Sequence, residues 1–448
     1  DAYNEVVKSN HTYVLHYVAQ NDGGNYFALS DMPDAYTYSS TTFKKGADVI
    51  ATLRNYMGDD DFFNCISSFL DVYKFQAVTA AQLKDHLSAC SGTDLTSFFD
   101  NWIYAAGFPA FEVESISYFD AATINGICIE QKLKHAPAFF NDVPLTISFF
   151  DANWNLYHEE SVIMSGEHSS FSFPSIPAPE SVIIDYHEKI SDAVTSNEIM
   201  MTTPGDYYFS NAFVTISPVV ISDTAIIYGQ QYWVEGDNYK EVIPGLHVNT
   251  QRYWKFQGMV PGDFQAEATI KYNGKTGVSG GNQDNEFISN IEDSLVLLYR
   301  PDASSDWTIY PDYTLNDLGP NNDKFGQFEL SAFMLGEYAL GMYNTSLPDE
   351  ASDEIEDCSI VSVHELEEVF FNIYPNPAQH SFNIKFKNVG NYKIELFDSL
   401  GNKIFEMKPS SIAILEISTK ELAAGSYEIK CTSVDNKLTA TEKLVIIR

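Results

Sequence analysis

Positive charge is what this sequence has least of. Its 448 residues carry 26 Lys+Arg against 62 Asp+Glu, a formal net charge of −36. Phosphate binding needs clustered cations, so no nucleic-acid partner is expected. An anionic membrane surface is disfavoured for the same reason. Long apolar runs are also missing. None approaches the roughly 20 residues of a spanning helix, so no membrane insertion of that kind is expected. Cysteine is sparse: five residues make no disulfide scaffold, and an odd count leaves at least one unpaired or paired outside the chain. The sequence opens at Asp1 without an initiator Met or a signal peptide and reads as a mature product or a fragment. Apolar residues at 44% and aromatics at 14% supply a sizeable core. The length suits about three domains.

The charge is uneven. Residues 370–448 hold ten Lys+Arg and eight Asp+Glu, whereas residues 1–369 hold 16 against 54. Between them, residues 347–368 contain nine acidic residues and no Lys or Arg. Like charges at that density repel, so this segment reads as an extended, solvated linker.

Residues 46–107 carry helical spacing. Val49, Ile50, Leu53, Tyr56 and Met57 share one face, and Gly58 ends the helix. Asp59, Asp60 and Asp61 follow, where a helix N-terminus favours negative charge. A metal site is the weaker reading of that triplet. Thr79 with Gln82 reads as a capping box, with Gly92 as the stop. A fourth helix is expected from Thr93, burying Phe98, Phe99 and Trp102, and Gly107 and Pro109 close it. Cys65 and Cys90 are either a pair across two helices or plain core residues.

The run YTYSSTTFKKGADVIATLRNYMGDDDFF (36–63), continued by 69–113 to FFDNWIYAAGFPAFEV, resembles the M1 family of zinc aminopeptidases just downstream of the metal site. The resemblance implies the helical end of a thermolysin-like catalytic domain. It also implies zinc held by two His and one Glu, with a HExxH glutamate activating the bound water. A downstream Tyr would stabilise the oxyanion. The His-Glu pairs at 158, 187 and 364 lack a second His at the required spacing. No metal ligand is therefore expected in this chain, and zinc belongs to a longer parent. Where the family has Tyr in Y-x-K-G, this chain has Phe43, which has no hydroxyl to donate. Tyr38 matches another tyrosine of that loop and is the remaining catalytic candidate. Packing before a helix is the plainer reading of both Tyr36 and Tyr38.

From Phe111 the period changes to two, as in a half-buried strand. Gly126–Gln131, Val143–Phe150, Ser170–Phe173 and Ser181–Asp185 continue a β-sandwich. Strands at Phe213–Ile216, Thr224–Tyr228, Ala266–Tyr272, Leu295–Tyr299 and Gly336–Tyr343 build a second β-rich region. Trp254 and Trp307 read as core rather than as a carbohydrate platform. The Gly- and Asn-rich stretch 273–286 lacks the strand–loop–helix context of a phosphate site and reads as a long hairpin loop.

The last residues form a small antiparallel sandwich of about seven strands, with Leu396, Leu400, Ile404, Leu415, Leu422, Tyr427 and Ile429 as core. Tyr374-Pro375-Asn376-Pro377, the turn at Gly401, Gly425 with Tyr427, and the Lys443–Arg448 ending resemble, in order, the type IX secretion C-terminal sorting domain. That resemblance implies an Ig-like sandwich, the secretion machinery as partner through 370–448, and export across the outer membrane.

The expected fold is multidomain α+β. It comprises a helical peptidase end (1–111), a β-sandwich (112–195), a second β-rich domain (196–346), an acidic linker (347–369) and a sorting domain (370–448). The expected function is that of a secreted zinc aminopeptidase acting on peptides, of which this chain is the C-terminal part. The alternative is a non-catalytic surface protein whose β-domains bind glycan or a protein.

Overall fold

The computed structural model describes residues 2–21, 25–276, 283–288, 292–320, 323–349, 371–398, 403–420, 422–423, 425–433 and 439–446. The chain divides into two compact units, Asp1–Ile360 and Val361–Arg448.

The first unit opens on α1 (Ala2–Asn21), a helix whose polar stretch Lys8–Thr12 hides its pattern. Val14, Leu15 and Val18 form its buried stripe. Next comes a π-type turn, Thr41–Lys45. In α2 (Gly46–Met57), Val49, Leu53 and Met57 are buried at four-residue spacing, and Gly58 ends it at φ 76°. In α3 (Asp59–Val72), the acidic triplet occupies the first turn. Arg54 donates twice to Asp59, at 2.7 and 2.6 Å. The capping box of α4 (Ala80–Ser91) is formed, and Gly92 is left-handed. A disulfide joins Cys65 to Cys90, with Cα atoms 5.7 Å apart. The next helix, α5 (Thr96–Phe98), starts at Thr96 and not at Thr93. The Asp94 carboxylate accepts the Thr96 N–H at 2.9 Å, which sets the first turn there. A π-helical run, Phe99–Tyr104, carries Trp102 into the core.

Gly107 makes the corner from helix to strand. A Cβ there would lie 2.3 Å from the Lys134 carbonyl oxygen, and φ is +80°. The strand that follows, β1 (Phe108–Asp120), begins three residues before the alternation suggests. It pairs in the order β1-β2-β5 with β2 (Thr123–Lys134) and, through β2, with the later β5. A facing sheet of order β4-β3-β6 uses β3 (Val143–Phe150), β4 (Leu156–Met164) and β6 (Ser181–Ile184), with β5 spanning His168–Pro177. Phe111, Ile127, Leu145, Ile147 and Phe149 close one core with Leu53, Leu87, Phe98 and Trp102 of the helices.

A larger sandwich follows. Its strands are β7 (Val194–Met201), β8 (Tyr207–Phe209), β9 (Val214–Val220), β10 (Ala225–Tyr232), β11 (Leu246–Met259) and β12 (Gln265–Asn273). They continue with β13 (Leu295–Arg300), β14 (Thr308–Ile309), β15 (Tyr313–Asp317), β16 (Phe325–Leu330) and β17 (Gly336–Tyr343). Six strands pair as β14-β13-β17-β11-β10-β7 and five as β15-β16-β12-β9-β8. Because β12 and β13 lie in different sheets, the chain between them joins one sheet to the other and does not close the hairpin expected. Asp284 in it is buried and takes both Arg252 Nε and Nη2, at 2.8 and 2.7 Å.

β1 is buried on both faces near its start. Phe111 faces the first core, while Phe108 and Ala110 face the six-stranded sheet and α1. Glu112 is therefore 1% exposed, not on a wet face. It accepts from the Tyr253 hydroxyl at 2.5 Å and from Lys132 at 3.3 Å. Asp237 meets both Lys132 and Arg300, and Glu337 meets Arg300 at 2.6 Å and Lys255 at 2.8 Å. Buried charges are tolerable only when paired in this way. Glu337 is held at about 2, because Lys255 and Arg300 outweigh the burial that would raise it. Glu130, the surplus carboxyl, is pushed up to about 7 by burial.

The second unit is a sandwich of β18 (Phe371–Tyr374), β19 (Ser381–Gly390), β20 (Tyr392–Asp398), β21 (Lys403–Met407), β22 (Ile412–Ser418), β23 (Gly425–Ser433) and β24 (Thr439–Ile446). The sheets run β18-β19-β22 and β21-β20-β23-β24. Leu396, Leu422 and Ile429 are core, and Leu415 and Tyr427 pack against it. Ile404 does not, being 45% exposed. On β21 it is Phe405 and Met407 that turn inward, so period two sends Ile404 out. Leu400, Gly401 and linker residues 350–370 lie outside the described residues.

Candidate functional site

Two places carry the sequence candidates. The first is the turn before α2. Thr41 and Lys45 are buried there, and Phe43 between them points outward, 61% exposed. Lys45 Nζ donates to the Phe27 and Gly107 carbonyls at 3.0 and 3.4 Å and lies over the Phe108 ring. Burial lowers its pKa to about 7, against the pull of Asp48. The turn is thus pinned to the Gly107 corner by a cation that the sequence reading passed over. Tyr36 packs on Phe27, with ring centroids 5.0 Å apart. Tyr38 is 87% exposed and is not the packing residue expected.

Behind this turn lies a buried node. His11 Nδ1 is 2.9 Å from Asp48 Oδ2, and Nε2 is 2.9 Å from the Val194 carbonyl and 3.4 Å from Asp192 Oδ1. Both ring nitrogens face acceptors, so both carry protons. Burial alone would lower the His11 pKa; Asp48 and Asp192 outweigh it and raise it well above 6.5. Ser191 Oγ donates to Asp48 at 2.5 Å. This is not a nucleophile site, because Ser191 is wholly buried and bonds the carboxylate rather than the imidazole. The node ties α1 and α2 to the loop before β7.

The family resemblance makes zinc the metal to test. Among the described residues, two groups bring three ligand-type side chains together: Glu114, Cys128 and His168, and Glu112, Glu130 and Asp237. Cys128 is disulfide-bonded, so its sulfur is not a thiolate. Its 3.2 Å approach to Glu114 is a contact without a proton to share. The second group surrounds the Lys132 ammonium, which already supplies the positive charge. Neither offers two imidazoles with a carboxylate, so these residues do not fit a catalytic zinc. His158 and His187 instead pair with Glu160 and Glu159, at 2.8 and 3.0 Å. His364 lies outside the described residues.

The second place is the start of the second unit. Tyr374 ends β18 and Pro375, Asn376 and Pro377 follow it, all four exposed. The prolines therefore follow an edge strand, where no ladder donor is lost. Asn376 Nδ2 donates to the Lys443 carbonyl at 2.6 Å, and its Oδ1 accepts from Val445 N–H at 2.9 Å. Ala378 N–H donates to the Val445 carbonyl at 2.8 Å. Gly425 opens β23, with only the Tyr427 ring within 4.0 Å of its Cβ direction. The Tyr427 hydroxyl donates to the Ala423 carbonyl at 2.9 Å.

A short helical module packed on β-sandwiches precedes a small sandwich that carries these motifs. Residues 21–102 match the peptidase family M1 domain, and residues 372–447 match the secretion system C-terminal sorting domain. The sorting tail marks the chain for the cell surface or the exterior. Aminopeptidase N of Lactococcus lactis is 27% identical over 78 residues, covering 17% of this chain and 9% of that protein. Ulvan lyase NLR42 of Nonlabens ulvanivorans is 27% identical over 128 residues, covering 28% of this chain and 24% of that protein. Aminopeptidase A of Legionella pneumophila, solved with aspartic acid, is 18% identical over 38% of this chain and 20% of that one, with a TM-score of 0.31. The chain thus spans less than a quarter of the length of these relatives.

Proposed function

We propose that this chain is the part of a secreted M1-type zinc aminopeptidase that lies after the metal site. In this reading residues 1–111 are the helical end of the peptidase domain. Residues 112–195 and 196–346 are its β-domains, 347–369 is a linker, and 370–448 is the export module. The observation that supports it most is the M1 match over residues 21–102, in a chain whose other end matches a sorting domain. Zinc, peptide substrate and catalysis belong to a longer protein, and Tyr38 is its candidate phenol. Phe43 weakens that enzyme, since removing one oxyanion donor costs about 10²–10³ in rate. The test is hydrolysis of aminoacyl chromogenic substrates by the purified 448-residue chain with added zinc. No turnover is expected, and zinc-dependent turnover overturns the reading.

A non-catalytic surface protein is the second reading, and Phe43 favours it. Its glycan-binding form would have to use exposed tyrosines such as Tyr118 and Tyr208, because all five tryptophans are buried: Trp102, Trp154, Trp233, Trp254 and Trp307. A sugar platform needs exposed rings.

A further inference from the structure

One pair in the buried cluster between the two sandwiches of the first unit sets an amine against a carboxyl. Lys132 of β2 and Asp237, in the loop between β10 and β11, are in direct contact through Nζ and Oδ1. They are 105 residues apart in sequence. Each is fixed by its surroundings. Lys132 sits in the ladder opposite Ala110, and its ammonium lies 5.0 Å from the centre of the Tyr253 ring. The Asp237 carbonyl accepts the Trp307 indole N–H at 2.9 Å. Lys132, Tyr253 and Trp307 are buried, so bulk water has little access. Two further carboxyls stand by Lys132 Nζ, Glu112 at 3.3 Å and Glu130 at 3.7 Å. Carboxyl oxygens of Glu112, Glu130 and Asp237 all lie within 4.8 Å of one another. Arg300 Nη1 meets the other Asp237 oxygen, and its buried Nη2 has no hydrogen-bond partner among the described residues.

We propose that Lys132 and Asp237 condense into an isopeptide bond that ties the first sandwich covalently to the second. The pair starts as ions. Burial would neutralise both groups, but Asp237 and the two glutamates hold Lys132 well above its ordinary value, and Lys132 with Arg300 holds Asp237 below its own. Two proton transfers therefore come first. Glu112 takes one proton from the ammonium. Glu130, pushed up to about 7 by burial, gives its proton to Asp237 Oδ1. The Nζ lone pair then adds to Asp237 Cγ, forming the C–N bond, and the Arg300 guanidinium holds the charge left on Oδ2. Nitrogen returns a second proton to Glu130, and Glu112 passes its proton to Oδ1. The Cγ–Oδ1 bond breaks and Oδ1 leaves as water. Both glutamates end as they began, and no oxidant or cofactor enters.

The intact mass of the purified, folded chain tests this, measured after denaturation and reduction. The expected mass is about 18 Da below that of the sequence, the loss of one water. Tandem spectra of the digest then show residues 132 and 237 in one branched peptide. Lys132→Arg keeps a buried cation without the nucleophile and returns to its own sequence mass. Glu130→Gln keeps the shape of the protonated carboxyl but removes the proton source. Its water loss is slower by about 10²-fold or more. Wild-type chain at full sequence mass overturns the proposal whatever the variants do. Water loss that persists in Lys132→Arg, or a branch joining other residues, overturns it too. A Glu130→Gln chain that loses water as fast as wild type overturns the mechanism.

Discussion

Replacing His11 with Leu asks how much the buried node holds. The side chain keeps its bulk, but two carboxylates lose their cation. Asp48 and Asp192 have side chains only 3% and 12% exposed, so water replaces little of it. Breaking a buried pair by removing one partner costs about 3–5 kcal/mol. Against a total near 5–15 kcal/mol, that is a large share. Urea denaturation at pH 6, followed by far-UV circular dichroism, reads the loss as a fall in midpoint at constant slope. The pH sign follows from the raised pKa. His11 binds its proton more tightly folded than unfolded, so its contribution is fully present below about pH 6.5 and is lost as pH rises through the folded value. Asp192 and Asp185 are raised by burial, so their contributions run the same way. Imidazole proton shifts followed by NMR locate the His11 titration directly. A cost under about 1 kcal/mol, the ceiling for exposed pairs, would refute this account, as would titration of His11 below its ordinary value.

Removing the Cys65–Cys90 disulfide by a double Ala substitution opens a 25-residue loop, and the chain-entropy relation gives a loss of about 3.5 kcal/mol, read by denaturation with and without reductant. In a longer protein that carries a zinc helix, Phe43→Tyr restores a donor and raises kcat about 10²–10³-fold, measured with aminoacyl substrates. In the second unit, Leu396→Ala costs about 2–5 kcal/mol whereas Ile404→Thr stays within about 0.5 kcal/mol, since only the first is core; thermal melts of the two variants separate them.

Local signals proved readable where they act within a few residues. Gly58, the Thr79–Gln82 box and Gly92 set helix ends by backbone chemistry that needs no distant partner. Strand alternation located β3 and β17 to the residue. What escaped was decided by contacts across the chain. α1 is a helix because Val14, Leu15 and Val18 meet the six-stranded sheet, a fact absent from its own polar pattern. Glu112 lies in a strand whose alternation suggests one wet face, and its burial depends on distant partners such as Tyr253 and Lys132. The connection from β12 to β13 was hidden because sheet membership is not a local property. At the candidate sites, residue types were legible in the Y-P-N-P run and at Phe43. The bond from Asn376 to a strand some 70 residues later was not.

The doubly buried β1 also bears on where such a chain can be cut. Three cations and four carboxyls are shared across the seam between the two sandwiches, with Glu112, Glu130 and Lys132 on one side and Asp237, Lys255, Arg300 and Glu337 on the other. A cut near residue 193 would strand unpaired charges in both halves at once, so neither sandwich is expected to be stable without the other. The described start of the acidic run is bonded to the same body, the Asp349 carboxylate accepting the Gly245 N–H at 2.7 Å.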